Sequence, residues 1–174
     1  RAREYEGAVN WLSNSNIINK IFNVNKPGFP LNAYKDLSSF KLYMSDVGLL
    51  RRKANLDSRI VIEGNRLFEE FKGALTENFI LNMLMFKLEE KPSYYTFDRH
   101  EIDFVIQNKN EIVPIEVKSS DNINNASLTR FNDIGENKIA VRFSTKNLDK
   151  SGKILNIPIF MVEHIDKLLE IASK

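Results

Sequence analysis

Glu101-Ile102-Asp103-Phe104-Val105-Ile106 is followed, after Gln107-Asn108-Lys109-Asn110, by Ile112-Val113-Pro114-Ile115-Glu116-Val117-Lys118. Both runs are short, apolar and β-branched, with turn formers between them, which predicts two buried strands joined as a hairpin. Each run nevertheless carries charge where a core strand should be apolar. Side chains alternate faces along a strand, so Glu116 and Lys118 point the same way, with Cα atoms roughly 6.6 Å apart. A hairpin would set Asp103 beside Glu116 on that face. Two carboxylates and an ammonium would then share one half-buried patch.

Such a patch is costly unless the charges pair or bind a metal. A hard divalent cation with oxygen ligands relieves the repulsion between neighbouring carboxylates. It also polarises a phosphoryl oxygen and lowers the pKa of its water. An Asp on one strand and Glu-x-Lys on the next resembles the catalytic pattern of the PD-(D/E)xK nuclease superfamily, with Asp103, Glu116 and Lys118 in the motif positions. The competing reading is a plain Glu116–Lys118 ion pair on a solvated strand face.

Composition narrows the classes. The chain has 174 residues, 43% hydrophobic and 28% charged, enough for a soluble globular protein with a real core. It carries no apolar run of about 18 residues and no signal peptide, so no membrane association is expected. Zero cysteines exclude disulfides and thiolate metal sites and fit a cytoplasmic protein. Two histidines, His100 and His164, are too few for a His-rich zinc centre. The net charge of +2 lacks the strongly basic footprint of a stand-alone, high-affinity DNA binder. Because the chain opens on Arg1-Ala2-Arg3, it is read as a piece of a longer protein; oligomeric state is left open.

Two segments are expected, 1–58 and 59–174. In the first, a helix from Tyr5 precedes the turn Ser13–Asn16 and a strand Ile17–Val24. Asn25–Pro30 is irregular, because two prolines and a glycine interrupt it. A second strand covers Phe40–Met44, and Asp46 caps a short helix ending in Arg51-Arg52-Lys53. This order resembles part of a winged helix, yet no recognition helix dense in Arg or Lys is present. The basic triplet is expected to be solvated and to favour the helix dipole. Trp11 is expected in the core rather than on a base-stacking platform.

In the second segment a long helix is predicted from Ile60, interrupted near Gly64-Asn65 and continuing to Leu88. Gly73 inside it is taken to mark close packing against a strand. Glu77 lies beside Phe71, Leu75, Phe79 and Ile80, either snorkelling to water or aimed at Asp103 and Glu116 as a third carboxylate. A strand at Ser93–Phe97 and the two central strands follow. A helix capped by Ser127, a strand Ile139–Ser144, an apolar run Asn156–Val162 and a last helix Ile165–Ile171 complete the chain. His100 is expected at the surface beside a strand, and His164 at the start of the last helix. From the long helix onward the order is α-β-β-β-α-β. The fold class is therefore α/β (α+β), a restriction-endonuclease-like mixed sheet flanked by helices and preceded by a partial winged-helix segment.

Trp11-Leu12-Ser13, Phe40-Lys41-Leu42-Tyr43, Asp46-Val47-Gly48-Leu49-Leu50, Lys72-Gly73-Ala74-Leu75-Thr76-Glu77-Asn78-Phe79 and the two central strands together resemble the C-terminal region of bacterial and archaeal AAA-type ATPases. In that family a nuclease-like domain follows the ATPase and a winged-helix segment. The resemblance implies Glu77, Asp103, Glu116 and Lys118 as catalytic residues, with Asp103, Glu116 and Glu77 as metal ligands. It implies Mg²⁺ (or Mn²⁺) as cofactor, DNA as partner, phosphodiester hydrolysis as activity and an ATPase domain upstream in the same polypeptide. No Gly-x-x-x-x-Gly-Lys-Ser/Thr loop is present, so this chain is not expected to bind ATP by that route. The alternative is a catalytically silent module that binds DNA or protein and regulates the attached ATPase.

Overall fold

The computed structural model describes residues 4–57, 59, 69–120, 126–135 and 137–173. The protein is a mixed α/β structure built on one eight-stranded sheet. The strands are β1 (Ile18–Val24), β2 (Lys35–Met44), β3 (Ser93–Phe97), β4 (His100–Asn108), β5 (Glu111–Val117), β6 (Ala140–Ser144), β7 (Asp149–Ser151) and β8 (Ile154–Pro158). Their spatial order is β2-β1-β3-β4-β5-β6-β8-β7. The described helices are α1 (Glu6–Asn14), α2 (Val47–Lys53), α3 (Glu69–Lys87), α4 (Ala126–Ile134) and α5 (Ile165–Ala172), with short 3-10 turns at Leu31–Tyr34 and Ile159–His164.

The central hairpin forms as its composition predicts. β4 and β5 pair antiparallel, with Phe104 opposite Ile115 and Asn108 opposite Glu111. Lys109 takes a positive φ of 55° in the turn. Alternation then divides the apolar residues between two faces. Phe104, Ile106, Val113 and Ile115 join Ile80, Leu81 and Leu84 of α3 and Val162, Ile165 and Leu169 near the C-terminus in one buried cluster. Val105 joins Leu128 and Phe131 of α4 on the other face. Burial on both faces explains why these strands read as nearly continuous apolar runs.

The first strands belong to the same sheet as the rest. β1 pairs antiparallel with β2 and parallel with β3, where Asn23 lies opposite Tyr94. Asn23 Oδ1 accepts from the Thr96 N–H at 3.2 Å. β2 starts five residues before the predicted Phe40. The Lys35–Ser39 half is polar and contains an irregularity, since Phe22 pairs with Phe40 but Asn23 with Asp36. Asp36 Oδ1 accepts from the Ser38 N–H and Oγ–H and makes the local turn that absorbs the extra residues. That side-chain chemistry hid the strand.

Other expectations are corrected. Trp11 is not in the core: it is 63% exposed, and α1 buries none of its residues. Helical spacing shows which residues share a face, not whether anything covers it. The run Asn156–Val162 is not one element. β8 ends at Pro158, and the chain then enters the 3-10 turn that leads into α5. Three residues of β7, all exposed, were unpredicted, because such an edge strand has no apolar face to announce it. Ser127 sits inside α4 rather than at its cap. A Cβ at Gly73 would meet nothing closer than Ser119 Oγ at 3.8 Å, an ordinary contact, so this glycine marks no tight approach. Asp46 does cap α2, accepting from the Leu49 N–H at 2.8 Å. The predicted helix start at Ile60 and its break at Gly64-Asn65 lie outside the described residues.

Candidate functional site

Helix α3 and strand β2 meet through two consecutive residues of the helix. Asn78, 2% exposed, spends its whole amide on the last residue of β2. Its Oδ1 accepts from the Met44 N–H at 2.9 Å and its Nδ2 donates to the Met44 carbonyl at 2.8 Å. Asn78 thus acts as one more rung of the sheet and fixes both the height and the rotation of α3. Glu77, one residue earlier, is thereby turned toward Tyr43. The Tyr43 hydroxyl donates to Glu77 Oε1, and Lys41 Nζ stands 3.7 Å from the same oxygen. Lys41 also donates to Glu101 Oε1 at 2.5 Å.

Asp103 lies next to this group at a bulge. Ser93 pairs with Val105 and Tyr95 with Ile102, so β4 carries one residue more than β3 across this stretch. A bulge breaks strict alternation and re-aims a side chain. Here Asp103 Oδ2 accepts from the Val117 N–H at 2.7 Å, beyond the Phe104–Ile115 rung that ends the β4–β5 ladder. Burial, the Glu77 charge and the Glu116 charge raise the Asp103 pKa to about 7, against the Val117 hydrogen bond and the Lys41 charge. Burial lowers the Lys41 pKa, but the Glu101 hydrogen bond and the charges of Glu77, Glu101 and Asp103 outweigh it, and the net shift is upward. Burial and the Glu77 carboxylate push the Tyr43 hydroxyl pKa up, so it remains a donor.

Glu116 sits on β5, and alternation from Ile115 turns it from the face covered by α3. It is 5% exposed. Its Oε1 pairs with Lys118 Nζ, as the two-residue spacing predicted. Its Oε2 is buried with no hydrogen-bond partner among the described residues, a costly state for a carboxylate oxygen. On the neighbouring parallel strand its register partner is Arg142.

The four predicted residues are therefore arranged as two ion-paired groups with Asp103 between them. Glu77 is held by Lys41 and Tyr43, Glu116 by Lys118, and Asp103 feels the charge of both acids. Among the described residues no three His, Asp or Glu side chains form a group able to hold a metal ion. The oxygen donors nonetheless suit a hard divalent cation, and the orphaned Glu116 Oε2 is the atom such an ion would satisfy. Lys41, Tyr43 and Glu101 were not predicted as site residues. Alternation on β2 already puts Lys41 and Tyr43 on one face, but no local spacing says that this face turns to α3.

The remaining candidates carry less. Arg51, Arg52 and Lys53 occupy the last turn of α2, where they suit its dipole. His100 begins β4 against the Phe97 ring at 5.6 Å, and His164 is half-exposed with Nε2 3.4 Å from Glu163 Oε1. Cavities of about 310, 330 and 670 Å³ lie elsewhere, the largest between Phe29, Tyr95, Ile112, Phe131 and Asn137. No helix among the described residues is long and apolar enough to cross a membrane.

Comparison with known families divides the chain. Residues 72–160, which include Glu77, Asp103, Glu116 and Lys118, match a family described as "Domain of unknown function (DUF4143)", a domain found at the C-terminus of AAA-ATPase-like proteins. Residues 1–59 match one described as "Domain of unknown function (DUF8612)". No curated protein and no solved structure matches the chain.

Proposed function

The chain belongs to the DUF4143 family, and from that premise we propose that it is a nuclease-like domain hydrolysing phosphodiester bonds in DNA with a divalent metal ion. The observation that carries this reading is Glu116: buried, paired to Lys118 through one oxygen, and left with a second oxygen that has no hydrogen-bond partner among the described residues. A buried polar atom without a partner calls for an explanation, and a bound ion or water is one. The order α3-β3-β4-β5-α4-β6 is the one expected of a restriction-endonuclease-like core and supports the same reading.

Asp103 and Glu116 would hold Mg²⁺ or Mn²⁺, with Glu77 as an outer ligand. The ion would supply positive charge to the reacting phosphate and lower the pKa of a water. Lys118, anchored by Glu116, would offset negative charge that develops on phosphate oxygens. Asp103 would ligate as a carboxylate; without an ion, burial and the neighbouring acids raise its pKa to about 7, and the charge of a bound cation would favour the ionised form. The hydrogen bond from Val117 holds its orientation in either form. In the reaction the oxygen of water bonds to phosphorus, the bond from phosphorus to the leaving sugar oxygen breaks, and that oxygen takes a proton.

The test is cleavage of single-stranded, duplex and branched DNA by the purified protein with Mg²⁺ or Mn²⁺, with Asp103→Ala expected to abolish cutting. Intact substrates in every case would remove the nuclease reading for this chain. The second reading is a silent module that binds DNA or protein beside an ATPase. What favours it is the internal pairing of Glu77 and Glu101 with Lys41. Calorimetric titration with Ca²⁺ or Mn²⁺ separates the two, since heat that disappears in Asp103→Asn contradicts a purely structural role.

A further inference from the structure

One ammonium group stands against two carboxylates and feels the charge of a third. Lys41 Nζ is 2.5 Å from Glu101 Oε1 and 3.7 Å from Glu77 Oε1, and the Asp103 charge acts on it as well. Its stem is guided past the Tyr94 ring, 5.1 Å from the ammonium. Tyr43, two residues along the same strand, closes on the same Glu77 oxygen. The Tyr43 ring packs against Phe104 at 5.9 Å, which holds the phenol in place. Both residues lie on β2, outside the 72–160 match that contains the acids. A cation of another kind cannot share that position. Two positive charges within a few ångströms repel, and Glu77 Oε1 already accepts from Tyr43.

We propose that Lys41 is a built-in stand-in for the divalent cation: with Tyr43 it keeps Glu77 turned to β2, and metal recruits Glu77 only when Lys41 withdraws. This rests on the reading of Asp103 and Glu116 as ligands, and adds to it that the N-terminal hairpin sets the affinity of the site. Any movement of β2 against α3 would then switch the site between a lysine-filled and a metal-filled form. The Asn78–Met44 hydrogen bonds, which fix α3 on β2, would have to loosen for such a movement.

The experiment is Mn²⁺ titration by calorimetry on the whole chain, comparing wild type with Lys41→Met, Lys41→Arg, Tyr43→Phe and Glu116→Gln. Lys41→Met should bind Mn²⁺ roughly tenfold more tightly or better, because a unit charge close to the ion is gone. Lys41→Arg should stay near wild type, and Tyr43→Phe should bind a few-fold more tightly. A simple structural role would not tighten binding. Equal or weaker binding by Lys41→Met, with wild-type binding still lost in Glu116→Gln, overturns the stand-in and leaves the metal site. Absence of Mn²⁺ binding in every protein overturns the metal site itself. Should Lys41→Met fail to fold by circular dichroism, Tyr43→Phe decides: unchanged affinity there overturns the proposal.

Discussion

Glu77 and Glu116 are both acids held against a lysine, and they are held differently. Glu116 meets a lysine two residues away on its own strand, and its other oxygen has no hydrogen-bond partner among the described residues. Glu77 meets a lysine and a tyrosine delivered from β2, on the far side of the chain's division into two family segments. The first pair is a consequence of strand periodicity alone. The second exists only because Asn78 docks α3 on the last rung of β2. The comparison teaches that a short-range pair can leave one carboxylate oxygen without a hydrogen bond, whereas the long-range pair ties its carboxylate to a neighbouring strand.

The sharpest way to break that contrast is to neutralise each acid in turn. Glu116→Gln should lower Mn²⁺ affinity by about a hundredfold, which is roughly 2.7 kcal/mol. Glu77→Gln should lower it by less than tenfold, as measured by the same calorimetry. Equal losses would mean that the two acids are equivalent ligands.

Asp103, between the two, should show the cost of its position. Its pKa is raised from 3.8 to about 7, so the native state holds more protons than the unfolded state between those values. Stability attributable to this group is therefore complete below pH 4 and falls as pH rises through 7. Asp103→Asn keeps an acceptor for the Val117 N–H and carries no charge. It should stabilise the protein by about 1–3 kcal/mol at pH 8 and by almost nothing at pH 4, in urea melts without metal. A constant offset at both pH values would remove the electrostatic account.

Asn78→Ala tests the docking that creates the long-range pair. Two hydrogen bonds vanish and the Met44 N–H and carbonyl lose their partners, so a loss of about 2 kcal/mol is expected. The same change should leave the Glu116–Lys118 pair intact and, by loosening Glu77 from β2, should raise Mn²⁺ affinity rather than abolish it. Smallest of all, Trp11→Ser should change stability by under about 0.5 kcal/mol, because a side chain on an uncovered helix face has little packing to lose. A large loss would place an unseen contact on α1.

Residue types and spacing determined much of this protein. The β4–β5 hairpin, the strand at Ser93–Phe97, the Asp46 cap and the Glu116–Lys118 pair all follow from period-two alternation, turn chemistry and local hydrogen bonding. Each of these forces acts over a few residues, so the chain displays it directly. What covers a face, where a bulge falls and which distant charge meets which are decided by packing. Trp11 had the spacing of a core residue and lies in water. Lys41 had the look of an ordinary strand lysine and stands among Glu77, Glu101 and Asp103. The positions of β2 and α3 relative to each other depend on a sheet assembled from strands dozens of residues apart, and only that assembly turns Lys41 and Tyr43 toward Glu77.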